Sequence, residues 1–118
     1  MAITLNTAPV VATWYTPEAE KEAEKPARFR LQPLTERQRL QVLFAEGVTG
    51  DAQIHLTPAQ IEEALAFGLV DWEGIDDAKG KPVRFNKRAL DLLPMALRVE
   101  LAGEIINRTS LSEEAQGN

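Results

Sequence analysis

The residues able to do chemistry are few, and they do not converge. His55 is the one histidine of the chain. A metal site built from side chains needs several His, Cys or carboxylate ligands, and cysteine is absent altogether. His55 therefore reads as a structural or surface histidine, and no metal is expected. A Ser/His/Asp triad would have to draft Ser110 or Ser112, and neither sits in a nucleophile-elbow sequence. The acidic cluster Asp71, Glu73, Asp76 and Asp77 was tested as a calcium loop. Counted from Asp71, Ile75 falls at position five, Asp76 at six and Pro82 at twelve, where a ligand, Gly and Glu belong. The cluster reads instead as a solvated turn around Asp77 and Gly80. A carboxylate pair for glycoside chemistry would need a cleft that a chain this short can hardly build.

Gly47 and Gly50 are followed by neither a Lys-Ser/Thr pair nor a third glycine in register, so no phosphate cradle is expected. Lys25, Arg28, Arg30, Arg37 and Arg39 form a local basic excess with Phe29 among them, the interleaving a nucleic-acid platform uses. The chain as a whole argues the other way. Its 118 residues hold 13 Lys+Arg against 18 Asp+Glu, a net charge of -5. The basic stretch then reads as the outward faces of a strand and a helix, and nucleic acid is an unlikely partner. No cofactor is called for, and the chain reads as a protein without enzymatic activity. The sequon Asn107-Arg108-Thr109 reads as chance.

What must position these residues is one small domain. With 44% hydrophobic residues the chain can build a core. No apolar run approaches the roughly 20 residues of a membrane span, and the first residues lack the signature of an export signal. A soluble, cytoplasmic protein is expected. Residues 1–9 read as a flexible N-terminus, 10–108 as a single domain and 109–118 as a flexible C-terminal tail. Within the domain, 10–34 reads as a β-hairpin. Its strands are Val10–Tyr15 and Arg28–Gln32, joined by a charged, proline-bounded connection.

Residues 35–108 read as about four helices. Thr35 and Gln38 match a capping box, and the helix they open carries Leu40, Leu43 and Phe44 on one face before stopping near Gly47. Thr57-Pro58-Ala59-Gln60 repeats the signal, with Pro at the first helical position. That helix should bury Ile61, Ala64 and Leu65 and end on Gly68 in a left-handed conformation. Residues 70–85 read as a turn-rich excursion anchored by Trp72 and Phe85. Asn86 should cap a short helix over 87–93, and Pro94 should open the last one. There Met95, Val99, Ala102 and Ile106 form one stripe, with Leu97, Leu101 and Ile105 beside it. The fold class is α+β, mainly α.

The linear order of short motifs adds a resemblance. Phe29-Arg30-Leu31-Gln32-Pro33-Leu34-Thr35 leads into a helix. Leu56-Thr57-Pro58 opens another that ends Phe67-Gly68-Leu69-Val70-Asp71-Trp72. Gly80-Lys81-Pro82-Val83-Arg84-Phe85 follows, then Leu92-Leu93-Pro94 and a helix ending Glu104-Ile105-Ile106. Over roughly residues 27–112 this string resembles the tail assembly chaperones of long-tailed phages and prophages. The resemblance implies a non-enzymatic protein that binds the tape measure protein and keeps it soluble before the tail tube polymerises. It also implies self-association into a homo-oligomer, in the cytoplasm of a bacterial host. The candidate partner-binding residues are then Leu97, Leu101 and Ile105, with the hairpin aromatics Trp14 and Tyr15. The competing readings are a structural tail or connector subunit of the virion and a small nucleic-acid-binding regulator using Arg28, Arg30, Arg37 and Arg39.

Overall fold

A computed structural model of the chain describes residues 11–43 and 56–116, the last six by their backbone alone. Phe44, Gly47, the connection 48–53, His55 and the N-terminal 1–9 lie outside the described residues. The elements run β1 (Thr13–Tyr15), β2 (Arg28–Leu31), α1 (Glu36–Leu43), α2 (Pro58–Gly68), β3 (Leu69–Glu73), a 3-10 helix (Lys87–Leu92) and α3 (Met95–Gln116). The fold is small and α+β, with the expected N-terminal hairpin.

That hairpin is two-thirds of a sheet. β1 and β2 pair antiparallel with Trp14 opposite Arg30 and Tyr15 opposite Phe29. β2 then pairs antiparallel with β3, Phe29 opposite Trp72 and Arg30 opposite Asp71, with the register shifting between Arg30 and Leu31. β2 is therefore the central strand, which its alternation already suggests: Phe29 and Leu31 are wholly buried, while Arg28 and Arg30 point the other way. The segment opening at Leu69, expected as turns, is a strand for its first five residues. A two-strand ribbon is marginal in water, and a third strand with a buried face is the usual remedy.

The rest of the excursion is as turn-rich as expected. The Asp77 carboxylate accepts from the amides of Lys79 (2.8 Å) and Lys81 (3.0 Å), and Gly80 closes the turn at φ +79°. Trp72 donates its indole N–H to the Val83 carbonyl at 2.9 Å and meets Phe29 and Phe85 edge-on, with ring centroids 6.3 and 5.0 Å away. Trp72 and Phe85 thus anchor this loop.

Both capping boxes form. The Thr35 hydroxyl accepts from the Gln38 amide at 3.2 Å and the Gln38 side chain accepts from the Thr35 amide at 3.0 Å; Thr57 and Gln60 repeat the same two distances. Asn86 caps the 3-10 helix, its Oδ1 accepting from Ala89 N at 2.9 Å. The face of α1 is different from the one expected. Val42 is its buried residue, whereas Leu40 and Leu43 are 41% and 49% exposed. The side on which α1 meets α2, not its own spacing, decides which residues are covered.

α3 also departs from expectation. It continues past residue 108 to Gln116, and Thr109 is buried, its hydroxyl donating to the Ile105 carbonyl (2.8 Å) and accepting from the Leu34 amide (2.9 Å). A threonine placed in a frayed tail by its polarity is instead the partner of a buried backbone N–H.

Gly68 is the sharpest correction. It is not left-handed: among the described residues the positive-φ glycines are Gly74 and Gly80. α2 runs through Gly68 straight into β3, with Leu69 already extended at φ -96°, ψ 113°. Glycine is required here by space. A Cβ on Gly68 would stand 2.5–2.8 Å from three atoms of the Ile105 side chain. Gly68→Ala should therefore destabilise the fold by about 1–3 kcal/mol, read as a lower urea midpoint. Adding Ile105→Ala should cost less than the two single changes summed, because the small side chain vacates the space the new Cβ needs.

Candidate functional site

The five residues expected to bind a partner go to different places. Leu101 and Ile105 are wholly buried in the core, with Phe29 and Leu31 of β2, Leu69 of β3 and Leu65 of α2. They hold the domain together and present nothing to a partner. Leu97 is half-buried against the same cluster. Trp14 and Tyr15, as neighbours in a strand, point to opposite faces of the sheet. Trp14 is 38% exposed, and the Arg28 guanidinium lies over its ring, 5.2 Å from the centroid. Tyr15 points inward, its hydroxyl donating to Glu100 of α3 at 2.6 Å.

Tyr15 is one of three fastenings between hairpin and α3. The same Glu100 oxygen accepts from the Glu18 amide at 3.1 Å. Arg108 donates from Nη1 to the carbonyls of Thr13 (3.1 Å) and Leu31 (2.9 Å) and to the Thr13 hydroxyl (2.6 Å), while its Nε pairs with Glu104. Thr109 makes the third, through Leu34. The hairpin therefore closes on its own domain. Arg108 and Thr109, two-thirds of the chance sequon, serve the packing.

The outward sheet face explains what becomes of the basic stretch. Arg28 is ion-paired with Glu73, and Arg30 stands opposite Asp71 in the register. β3 thus pairs Glu73 with Arg28 and stands Asp71 across from Arg30, a juxtaposition hidden from any reading of residues 25–39 alone. The acidic cluster is dispersed too: Glu73 is on Arg28, Asp71 accepts from the Trp72 amide at 2.8 Å, and Asp77 serves its turn. Among the described residues, no group of three or more His, Cys, Asp or Glu is placed to hold a metal ion.

Two surface features remain. The first is a cavity of about 160 Å³ between α2, the 3-10 helix and α3, lined by Leu65, Ala66, Leu90, Arg98 and, at its edge, Glu62, Lys87 and Asp91. Small-molecule sites run to roughly 300–1,000 Å³, so this one suits a side chain better than a metabolite. Lys87 is committed to the Ala66 carbonyl at 2.9 Å, whereas the buried Nε of Arg98 has no hydrogen-bond partner among the described residues. On the same 3-10 helix as Leu90, Leu92 is 83% exposed and does not line the cavity.

The second feature is the outward face of α3. From Met95 to Ser110 its exposed positions are Met95, Ala96, Val99, Gly103, Asn107 and Ser110. None is charged. The helix's four charged residues in this span are half-buried on its flanks: Glu100, Glu104 and Arg108 serve the contacts above, and Arg98 lines the cavity. A solvent-facing helix side ordinarily carries the charges. Spacing puts Met95 and Val99 in one stripe with Ala102 and Ile106, but Ala102 is wholly buried and Ile106 half-buried, so the outward side cuts across that stripe. In the sequence Leu92 stands in the Leu92-Leu93-Pro94 motif and in a short helix, and nothing local marks it as exposed.

Among the described residues, no helix is long and apolar enough to cross a membrane. Set against protein-family models, curated proteins and solved structures, the chain matches none of them.

The Tyr15–Glu100 bond gives the site a pH signature. Burial, then the hydrogen bond to Glu100, raises the Tyr15 phenol well above its ordinary value of 10.0. Between the unfolded and folded values the native state holds one more proton. Stability should then be intact below about pH 10 and fall as pH rises beyond it. Tyr15 is the chain's single tyrosine, so tyrosinate absorbance reports it alone. An ordinary midpoint in the folded protein would contradict the buried contact. Tyr15→Phe should cost about 1 kcal/mol at neutral pH and flatten the alkaline decline.

Proposed function

We propose that this chain is a non-enzymatic tail assembly chaperone of a long-tailed phage or prophage. It binds an apolar helical segment of the tape measure protein in the cytoplasm of the bacterial host and keeps that segment soluble until the tail tube polymerises. The motif string from Phe29 to Ile106 suggests the family. The observation that carries the binding role is the side-chain-sized cavity, together with the exposed Leu92 on the 3-10 helix that helps to line it.

The physical argument runs from the client's chemistry. A long helical protein held apart from its tube exposes apolar stripes that aggregate unless covered. Covering them reversibly takes a shallow apolar recess for an anchor residue, an acidic and soluble exterior, and no covalent step. Leu65, Ala66 and Leu90 supply the apolar part of the recess, and Glu62, Lys87, Asp91 and Arg98 its polar part. Leu92, two residues on from Leu90, supplies a separate exposed apolar contact on the same 3-10 helix. This site replaces the Leu97, Leu101 and Ile105 face, which the core consumes.

The nucleic-acid reading loses its footing with the ion pair at Arg28 and the facing acid at Arg30. The virion-subunit reading makes a different prediction about where the protein ends up, and the test below separates it.

Co-expressed with the tape measure protein of the same genome, the chain should make that partner soluble and co-elute with it in size exclusion. Leu92→Glu, at a position too exposed to matter for folding, should cut recovery of the complex by about tenfold, the loss expected from one interface anchor. An insoluble partner with the small chain eluting alone would overturn the proposal. Detection of the chain in purified particles would move it to the structural subunits.

A further inference from the structure

We propose that the exposed cations of residues 79–88 bind the phosphate backbone of a single-stranded nucleic acid without reading its bases. The inference is independent of the tape measure reading, which rests on the cavity and Leu92. It makes no use of the strand arginines that stand across from β3.

The segment holds Lys79, Lys81, Arg84, Lys87 and Arg88, five of the chain's 13 Lys+Arg, and none of its 18 Asp+Glu. All five are exposed. Lys87 is committed to the Ala66 carbonyl and shares the cavity wall with Glu62 and Asp91. The side chains of the other four make no hydrogen bond or ion pair among the described residues. The backbone beneath them, by contrast, is fastened. Asp77 and Gly80 close the turn that carries Lys79, and Val83 donates its N–H to the Ile75 carbonyl at 2.8 Å. On either side of Arg84, the Val83 carbonyl accepts from the Trp72 indole and the Phe85 ring lies edge-on to the same indole. Asn86 caps the 3-10 helix that carries Arg88. Four free cations thus stand on a fixed frame, which lowers the cost of gathering them on one ligand.

The surroundings of these cations select the polyanion. Pro82 is the one exposed apolar residue of the segment, since Val83 and Phe85 are half-buried. A protein interface builds on an apolar centre and is depleted in lysine, whereas this segment lacks the centre and is rich in lysine. A bilayer presents a broad sheet of negative charge. It would meet Asp76, Asp77 and Asp91, exposed at the two ends of the segment, as well as the cations. A single strand can follow the segment itself, with a phosphate at every nucleotide. Because the Phe85 ring packs on Trp72, no base stacks on it, and contacts to phosphate alone carry no sequence information. The net charge of -5 does not oppose the contact, because at physiological salt charges more than about 8 Å away are largely screened.

Fluorescence anisotropy of the full chain with a labelled DNA single strand of about 20 nucleotides and mixed sequence, longer than the site, tests this. The dissociation constant should fall at roughly 1–100 μM at physiological salt. Plotted against log salt, log K should fall with a slope of about -3, the value for four phosphate contacts on a single strand. Arg84→Glu with Arg88→Glu should weaken binding by about tenfold or more and about halve that slope, and Lys79→Glu with Lys81→Glu should do the same. Lys25→Glu with Arg37→Glu changes the net charge equally at exposed positions outside the segment, and should leave binding within about twofold. Circular dichroism should show all three variants folded. Three results would overturn the proposal. One is no binding up to roughly millimolar protein, weaker than ordinary non-specific contact. Another is an equal loss in all three variants, which would reduce the effect to net charge. The third is phosphatidylserine vesicles or a polyglutamate peptide binding as tightly as the strand, which would give the segment to a membrane or to an acidic protein.

Discussion

The close approach of α2 and α3 at Gly68 is the constraint from which the rest of the architecture follows. Ile105 sits where a side chain on Gly68 would be, within 2.5–2.8 Å of an ideal Cβ. That contact lets α3 lie near the α2 backbone just where α2 turns into β3. Because Leu69 is extended at once, no loop intervenes to absorb a change in angle. The position of α3 therefore fixes that of β3, and through the ladder those of β2 and β1. Leu101, Ala102 and Ile105 are buried as a consequence, and the opposite side of the helix, with Met95, Val99 and Gly103, is left facing out. The buried side thus takes Ala102 from one expected stripe and Leu101 and Ile105 from the other.

The polar contacts then lock what the packing has placed. An apolar core is non-directional and would tolerate some sliding of α3 along the sheet. Glu100, Arg108 and Thr109 remove that freedom, since each meets a backbone group or hydroxyl of the hairpin at a defined point: Glu18 and Tyr15, Thr13 and Leu31, and Leu34. The three are spread over about two and a half turns of helix, so a shift by a single residue would break all of them. Glu100 and Arg108 lie at the margin of the core, where a charged group can keep partial contact with water and still hold a hydrogen bond stronger than a neutral one. Hairpin and helix are thereby joined as one body, although 85 residues separate Tyr15 from Glu100.

Local signals were legible in the sequence, and tertiary ones were not. The Thr35 and Thr57 capping boxes, the Asn86 cap, the Asp77–Gly80 turn and the Trp72 and Phe85 anchors each depend on residues a few positions apart, so short-range chemistry sufficed to find them. β3 escaped because Val70-Asp71-Trp72-Glu73 lies between a helix and two glycines, and only its pairing with β2 makes it a strand. Gly68 misled for a related reason. A glycine near a helix end ordinarily signals a left-handed residue, and nothing local reveals that a side chain 37 positions away needs its space. The partner-binding assignment failed at the same boundary. Spacing identified two apolar stripes on α3 but carries no information about which side of the helix docks, and Leu101 and Ile105 were taken for free residues. The placing of β3 acids across from the strand arginines was hidden for the same reason.

The surface that survives this accounting follows from charge economy. α3 uses all four of its charged side chains between residues 95 and 110 on its flanks, and the sheet's outward face pairs Arg28 with Glu73 and sets Arg30 opposite Asp71. Acidic residues elsewhere bring the net charge to -5. The outer side of α3 is thus left without charge, which lowers the desolvation cost of covering it, whereas the recess keeps Glu62, Lys87, Asp91 and Arg98 in its lining. A fold this small has little surface to give away. The charges α3 does carry go to the hairpin and to the cavity wall, which is why its outward side holds none.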